Sequence, residues 1–125
     1  MQSLFSRDKL FYQNGNTVFK EVTGMVARHI NFQIDRNMLD HRNIKRYWLH
    51  QANLKMNQKI IQMITGRKEF GSDMCPQILS EFGNTSSSGS VITFIKHNDI
   101  NVGEYGILCS FGAGYSIGSV LLQRI

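Results

Sequence analysis

Two short stretches concentrate side chains able to do chemistry. His50-Gln51-Ala52-Asn53 ends the apolar run Arg46-Tyr47-Trp48-Leu49, and Gly83-Asn84-Thr85-Ser86 follows the alternating segment Gln77-Ile78-Leu79-Ser80-Glu81-Phe82. A histidine can donate or accept a hydrogen bond at neutral pH, and an asparagine amide donates without carrying charge. Two such neutral donors aimed at one oxygen form an oxyanion site, which stabilises charge as it develops on a carbonyl. Each residue also has a plainer role open to it: a packed histidine, and a turn or helix-capping asparagine. Asn84-Thr85-Ser86 matches the N-glycosylation sequon too, a match that lacks a secretory signal to give it meaning.

Other chemistry has weaker support. Cys75 and Cys109 lie far apart with no paired-cysteine spacing, so neither a zinc site nor a disulfide is expected. Cys109 falls inside Gly106-Ile107-Leu108-Cys109-Ser110-Phe111 and reads as a small buried hydrophobe on a strand. His29, His41, His50 and His97 never take a zinc-protease spacing, and no metal is expected. Gly112-Ala113-Gly114-Tyr115-Ser116-Ile117-Gly118 resembles a dinucleotide fingerprint only superficially. Its third glycine is one position late, and β-rich sequence follows where a helix is required. These glycines suit a tight turn or a close approach of backbone to a ligand.

The elements that must position these residues can be read from periodicity. Thr17 to about Ile34 places Val18, Val22, Met25, Val26, Ile30 and Ile34 at helical spacings after the turn signal Asn14-Gly15-Asn16. Lys45 to His50 reads as a strand. Asn53 is then a helix cap for Leu54 to Thr65, whose Leu54, Ile60, Ile61 and Ile64 supply an apolar face and which Gly66 is placed to stop. Gln77 to Phe82 reads as a second strand, and Val91 to Lys96 as a helix opened by the serine-rich loop. Two further strands, Tyr105 to Phe111 and Tyr115 to Gln123, close the chain as a hairpin. This alternation predicts an α/β fold with a mixed β-sheet and helices on its faces. Both candidate loops then follow a strand and open a helix, where ligand sites of open α/β sheets gather.

Composition agrees with a single globular domain: 125 residues, 42% hydrophobic and 18% charged. No run approaches the roughly 18 apolar residues that span a bilayer, and the N-terminus carries charges and amides where a signal peptide would be apolar. A cytoplasmic protein without a membrane span is expected. The net charge of +5 favours an acidic partner, but the basic residues are scattered and give nucleic acid no support.

Taken together, His50-Gln51-Ala52-Asn53 after a strand, Gly83-Asn84-Thr85-Ser86-Ser87 opening a helix and the closing Phe111 to Leu122 resemble the C-terminal half of β-ketoacyl-acyl-carrier-protein synthase III, a thiolase-fold condensing enzyme. Asn14 to Lys20 resembles that family's lead into the first long helix of its C-terminal half. The resemblance covers nearly all of the chain and fades in the first ten or so residues.

It implies a thiolase-like fold in which residues 1–125 form the C-terminal half, and an acyltransferase of fatty acid or related biosynthesis. The reaction would be a decarboxylative Claisen condensation of an acyl thioester with malonyl-carrier protein. His50 matches the family's catalytic histidine and Asn84 its asparagine, both donors to the developing enolate. Asn53 matches a supporting asparagine beside the histidine. Phe19 and Ala52 match positions lining the pantetheine channel, and Gly112 and Gly114 a glycine-rich loop near the nucleophile. Lys20 and Lys55 match basic positions that dock the acidic carrier protein, although a plain solvated basic face is as well supported. No cofactor is implied beyond coenzyme A or carrier-protein pantetheine on the substrates. The implied partners are the N-terminal half, an acidic acyl carrier protein, acyl-CoA and, in the full-length form, a second copy in a homodimer. The family's nucleophilic cysteine belongs to the other half, and neither Cys75 nor Cys109 matches it, so this chain is expected to be inactive alone. Gly112 to Ile117 and Ser86 to Gly89 read as divergent. Two alternatives stay open: transfer of an acyl group to a hydroxyl or amine, with His50 as general base, and a non-catalytic half-domain that serves as an interaction module.

Overall fold

A computed structural model of the chain describes residues 15–50, 54–68, 73–78, 88–112 and 116–125. The elements are helix α1 (Gly15–Arg36), a 3-10 turn (His41–Asn43), strand β1 (Ile44–Leu49), helix α2 (Leu54–Thr65), helix α3 (Gly89–Lys96), and strands β2 (Tyr105–Gly112) and β3 (Ser116–Gln123).

Each forms for a local reason. α1 buries Val26, Ala27, Ile30 and Ile34, a stripe at helical spacing. It ends where Met38 takes φ 58° and the Leu39 N–H returns to the Ile34 carbonyl at 3.0 Å. Asp40 then caps the 3-10 turn, accepting from the Arg42 N–H at 2.9 Å while its own N–H donates to Asn43 Oδ1 at 2.7 Å. That turn delivers the chain into β1. α2 has the bounds expected from its pattern, and Gly66 stops it with φ 72° and an N–H bonded to the Gln62 carbonyl at 2.8 Å.

The strands lie in the order β1-β2-β3, with β1 parallel to β2 and β2 antiparallel to β3. This is the expected mixed sheet. One face carries Tyr47, Leu49, Ile107, Cys109 and Phe111, which pack with the buried stripes of α1 and α2 in a single core. The other face carries Trp48, whose ring meets Phe94 of α3 edge-on at 4.9 Å and whose Nε1 donates to the His97 carbonyl at 2.9 Å. Arg46 shares that face, and its guanidinium pairs with Asp99 at 3.2 Å. Helices therefore cover both faces. Gly106 is required there, because a Cβ would run into the six-membered ring of Trp48.

Two expectations are adjusted. α1 begins and ends two residues beyond the periodic stretch, since its polar ends carry no apolar signal. Gln77 and Ile78, read as the start of a strand, are not in one; residues 79–82 lie outside the described residues. Just ahead of that segment, the Met74 carbonyl accepts from the Tyr47 N–H of β1 at 2.8 Å.

Candidate active site

The β1–β2 ladder ends at the pair Leu49 and Cys109, and His50 is the next residue along. Its imidazole is therefore carried at the carboxyl end of a parallel strand. Phe111, two residues beyond Cys109 on β2, sets its ring 4.9 Å from that of His50 at a 45° tilt. His50 is 8% exposed, and Nδ1 is buried without a hydrogen-bond partner among the described residues. Loss of water around the ring disfavours the charged form, so burial holds the His50 pKa below its usual value. Burial thus favours the neutral imidazole over the charged one.

The ring opens onto a cavity of about 350 Å³ lined also by Ser110, Phe111, Gly112, Ser116, Ile117 and Gly118. Its walls are the end of β2 and the start of β3. No atom lies within 4 Å of a Cβ built on Gly112 or Gly118, so the missing side chains leave open space at the rim. A neutral donor on an apolar ring, beside a cavity walled by small residues, can bind a carbonyl oxygen and stabilise negative charge on it.

Of the expected site residues, the structure brings His50 and Gly112 together in this cavity. Phe19 is half-buried on α1, Lys20 is exposed beside it, and Lys55 is exposed in the first turn of α2; none of the three lines the cavity. Ala52, Asn53, Asn84 and Gly114 lie outside the described residues. Three contributors were missed in the sequence: Ser110, Phe111 and Asn57. The amide of Asn57 donates to the His50 carbonyl at 3.0 Å. A polar residue on the otherwise apolar stripe Asn57, Ile60, Ile61, Ile64 was the available signal.

The cysteines are unsuited to nucleophilic attack. Burial pushes both Cys75 and Cys109 thiols up to about 12, whereas a reactive cysteine needs its thiolate stabilised. A serine–histidine pair does occur elsewhere, with His29 Nε2 2.8 Å from Ser119 Oγ. Ser119 spends its single proton on Gln33 Oε1 at 2.5 Å, so His29 must donate to it and cannot act as its base. That trio ties α1 to β3. Among the described residues no group of three His, Cys, Asp or Glu could hold a metal, and no helix is long and apolar enough to cross a membrane.

Residues 34–124 match the model of the family described as 3-oxoacyl-[acyl-carrier-protein (ACP)] synthase III C terminal. The chain belongs to that family. Among relatives of this synthase III C-terminal family, the chain is 50% identical over 119 residues to a β-ketodecanoyl-[acyl-carrier-protein] synthase of Pseudomonas aeruginosa, covering 94% of this chain and 34% of that protein. It is 33% identical over 117 residues to a β-ketoacyl-[acyl-carrier-protein] synthase III of Chlorobium phaeovibrioides, covering 90% and 34%. Among solved structures, 3-oxoacyl-(acyl carrier protein) synthase III of P. aeruginosa superposes with a TM-score of 0.74 at 20% identity, over 89% of this chain and 35% of that one. The synthase III of Thermus thermophilus gives 0.69 at 25% identity, over 90% and 35%. These likenesses establish the thiolase-like fold. The chain spans about a third of the length of the relatives it matches.

Proposed function

We propose that this chain is the C-terminal half of a decarboxylating condensing enzyme, an acyltransferase of fatty acid or related biosynthesis, and that His50 is its enolate-stabilising donor. The observation that carries the reading is the buried imidazole at the end of β1, seated on Phe111 and facing the cavity between the end of β2 and the start of β3. Loss of carbon dioxide from a malonyl thioester leaves an electron pair on the α-carbon, delocalised onto the thioester oxygen. A neutral N–H from His50 donates to that oxygen, and Asn84 is assigned as the second donor. The α-carbon then attacks the acyl carbon held on a cysteine of the N-terminal half, and that cysteine departs as thiolate. Asn53 supports His50 in this scheme. Phe19, Ala52, Gly112 and Gly114 border the pantetheine path, and Lys20 and Lys55 meet an acidic carrier protein. Substrates arrive on coenzyme A or carrier-protein pantetheine, and the complete enzyme works as a homodimer in the cytoplasm.

The 50% identical relative is named for a ten-carbon β-ketoacyl product. A condensation that adds two carbons makes such a product from an eight-carbon acyl thioester, and we assign this chain a primer of that length. The test uses the polypeptide in which these residues are combined with the nucleophile-bearing half. Octanoyl thioester should outcompete acetyl thioester, and His50→Ala should abolish carbon dioxide release from malonyl-carrier protein while cysteine acylation persists. Condensation at the parent rate by His50→Ala would remove the assignment. Acyl transfer with no release of carbon dioxide in the parent would instead make His50 a general base for a hydroxyl or amine acceptor.

A further inference from the structure

Asn57 sits on the buried stripe of α2, 2% exposed, in line with Ile60, Ile61 and Ile64. An amide among isoleucines is a poor choice for packing, since every polar atom it buries needs a partner. Asn57 satisfies that need only in part. Its Nδ2 donates to the His50 carbonyl at 3.0 Å, while Oδ1 is buried with no hydrogen-bond partner among the described residues. A leucine or methionine would fill the stripe without that cost.

The contact lies at the end of the described ladder. The parallel ladder ends at Leu49, so the carbonyl of His50 lies beyond the last paired residue of β1. The Asn57 amide reaches back across the β1–α2 loop and takes it. The imidazole is thus held at two points, its ring against Phe111 and its own peptide group by Asn57.

We propose that Asn57 is a positioning residue for His50, its side-chain amide fixing the peptide group that aims the imidazole into the cavity. The proposal rests on the reading of His50 as the enolate donor. Misplacing a catalytic group by an ångström can cost about a hundredfold in rate. Releasing one of two anchors should cost about tenfold in the decarboxylation step, with the binding of malonyl-carrier protein unaffected.

The experiment compares Asn57→Leu, Asn57→Met and His50→Ala in the polypeptide that includes the nucleophile-bearing half. Thermal midpoint, cysteine acylation, and kcat and KM for malonyl decarboxylation are measured for each, together with the 15N signals of the His50 ring. The expected result is a folded Leu or Met variant that acylates normally, loses about tenfold in kcat at constant KM, and shows a broadened His50 ring signal. A folded variant that decarboxylates at the parent rate while His50→Ala is inactive would overturn the proposal alone. A parallel fall of midpoint, acylation and decarboxylation in both variants would overturn it as well, leaving Asn57 a packing residue. Normal decarboxylation by His50→Ala would bring down the reading of His50, and this inference with it.

Discussion

Replacing Gly106 by alanine should destabilise the fold through Trp48. The added methyl would meet the Cη2 and Cζ3 carbons of the indole and approach the Arg46 carbonyl oxygen to 3.3 Å. Backbone cannot yield cheaply, and the indole is pinned: it is fully buried, bonded to the His97 carbonyl at 2.9 Å and set edge-on against Phe94. Overpacking of this kind costs about 1–3 kcal/mol. Pulling Trp48 off the His97 carbonyl costs about 1 kcal/mol more. The stiffer unfolded chain of the alanine variant offsets roughly 0.5–1 kcal/mol. The net expectation is a loss of about 1–3.5 kcal/mol, centred near 2. With a urea slope of about 1–1.5 kcal/mol per molar for a domain of this size, the unfolding midpoint should drop by about 2 M. Trp48 is the only tryptophan, so its fluorescence reports both the transition and the altered packing. Gly118→Ala is the control, because nothing lies within 4 Å of a Cβ there. A Gly106→Ala midpoint within about 0.5 M of the parent, or one no lower than that of Gly118→Ala, would refute the packing argument.

The two thiols and the site histidine give further tests. With pKa values raised to about 12 by burial, Cys75 and Cys109 should resist an aromatic disulfide reagent at pH 8 in the folded chain and both react in denaturant; rapid reaction of either in the folded state would contradict the burial. His50 should titrate below the usual histidine value of about 6.5, followed by its ring proton signals, because burial disfavours its charged form. As pH falls below that value the unfolded chain takes the proton first, so stability present above about pH 6.5 is lost on acidification through the window beneath it. His50→Gln should flatten this part of the urea-midpoint profile, and a ring that titrates at or above 6.5 would remove the case for a neutral donor.

What could be read from the sequence is local in its physics. The α2 segment shows its limits plainly, because Ile60, Ile61 and Ile64 mark its buried face and Gly66 supplies the left-handed stop. β2 and β3 are legible for a related reason: apolar runs on either side of a glycine-rich turn specify a hairpin without reference to the rest of the chain. Gln77 and Ile78 carry a signal of a different kind. Alternation describes how a strand would face a core, whereas a strand is defined by the ladder a neighbour completes, and residues 79–82 of that segment lie outside the described residues. Asn57 is not legible in this way, because a single polar residue on an apolar face takes its meaning from a partner, and that partner, the His50 carbonyl, lies across a loop.

The site itself depends on one long-range choice that no local pattern contains. β1 and β2 run parallel though far apart in the chain, with α2 and α3 among the described residues between them, and their register places Leu49 opposite Cys109. Continuing that register by one residue brings His50 abreast of Ser110 and next to Phe111, both of which wall the cavity. Side chains alternate across a strand, so a slip of one residue would turn Ile107, Cys109 and Phe111 away from the core they share and put a different residue of β2 abreast of His50. The core prevents that slip. Ile107, Cys109 and Phe111 must all face α1 and α2 with Tyr47 and Leu49, and the opposite face admits Trp48 only where Gly106 makes room. The packing of an indole over a glycine thus helps to hold the register that carries His50 to the cavity.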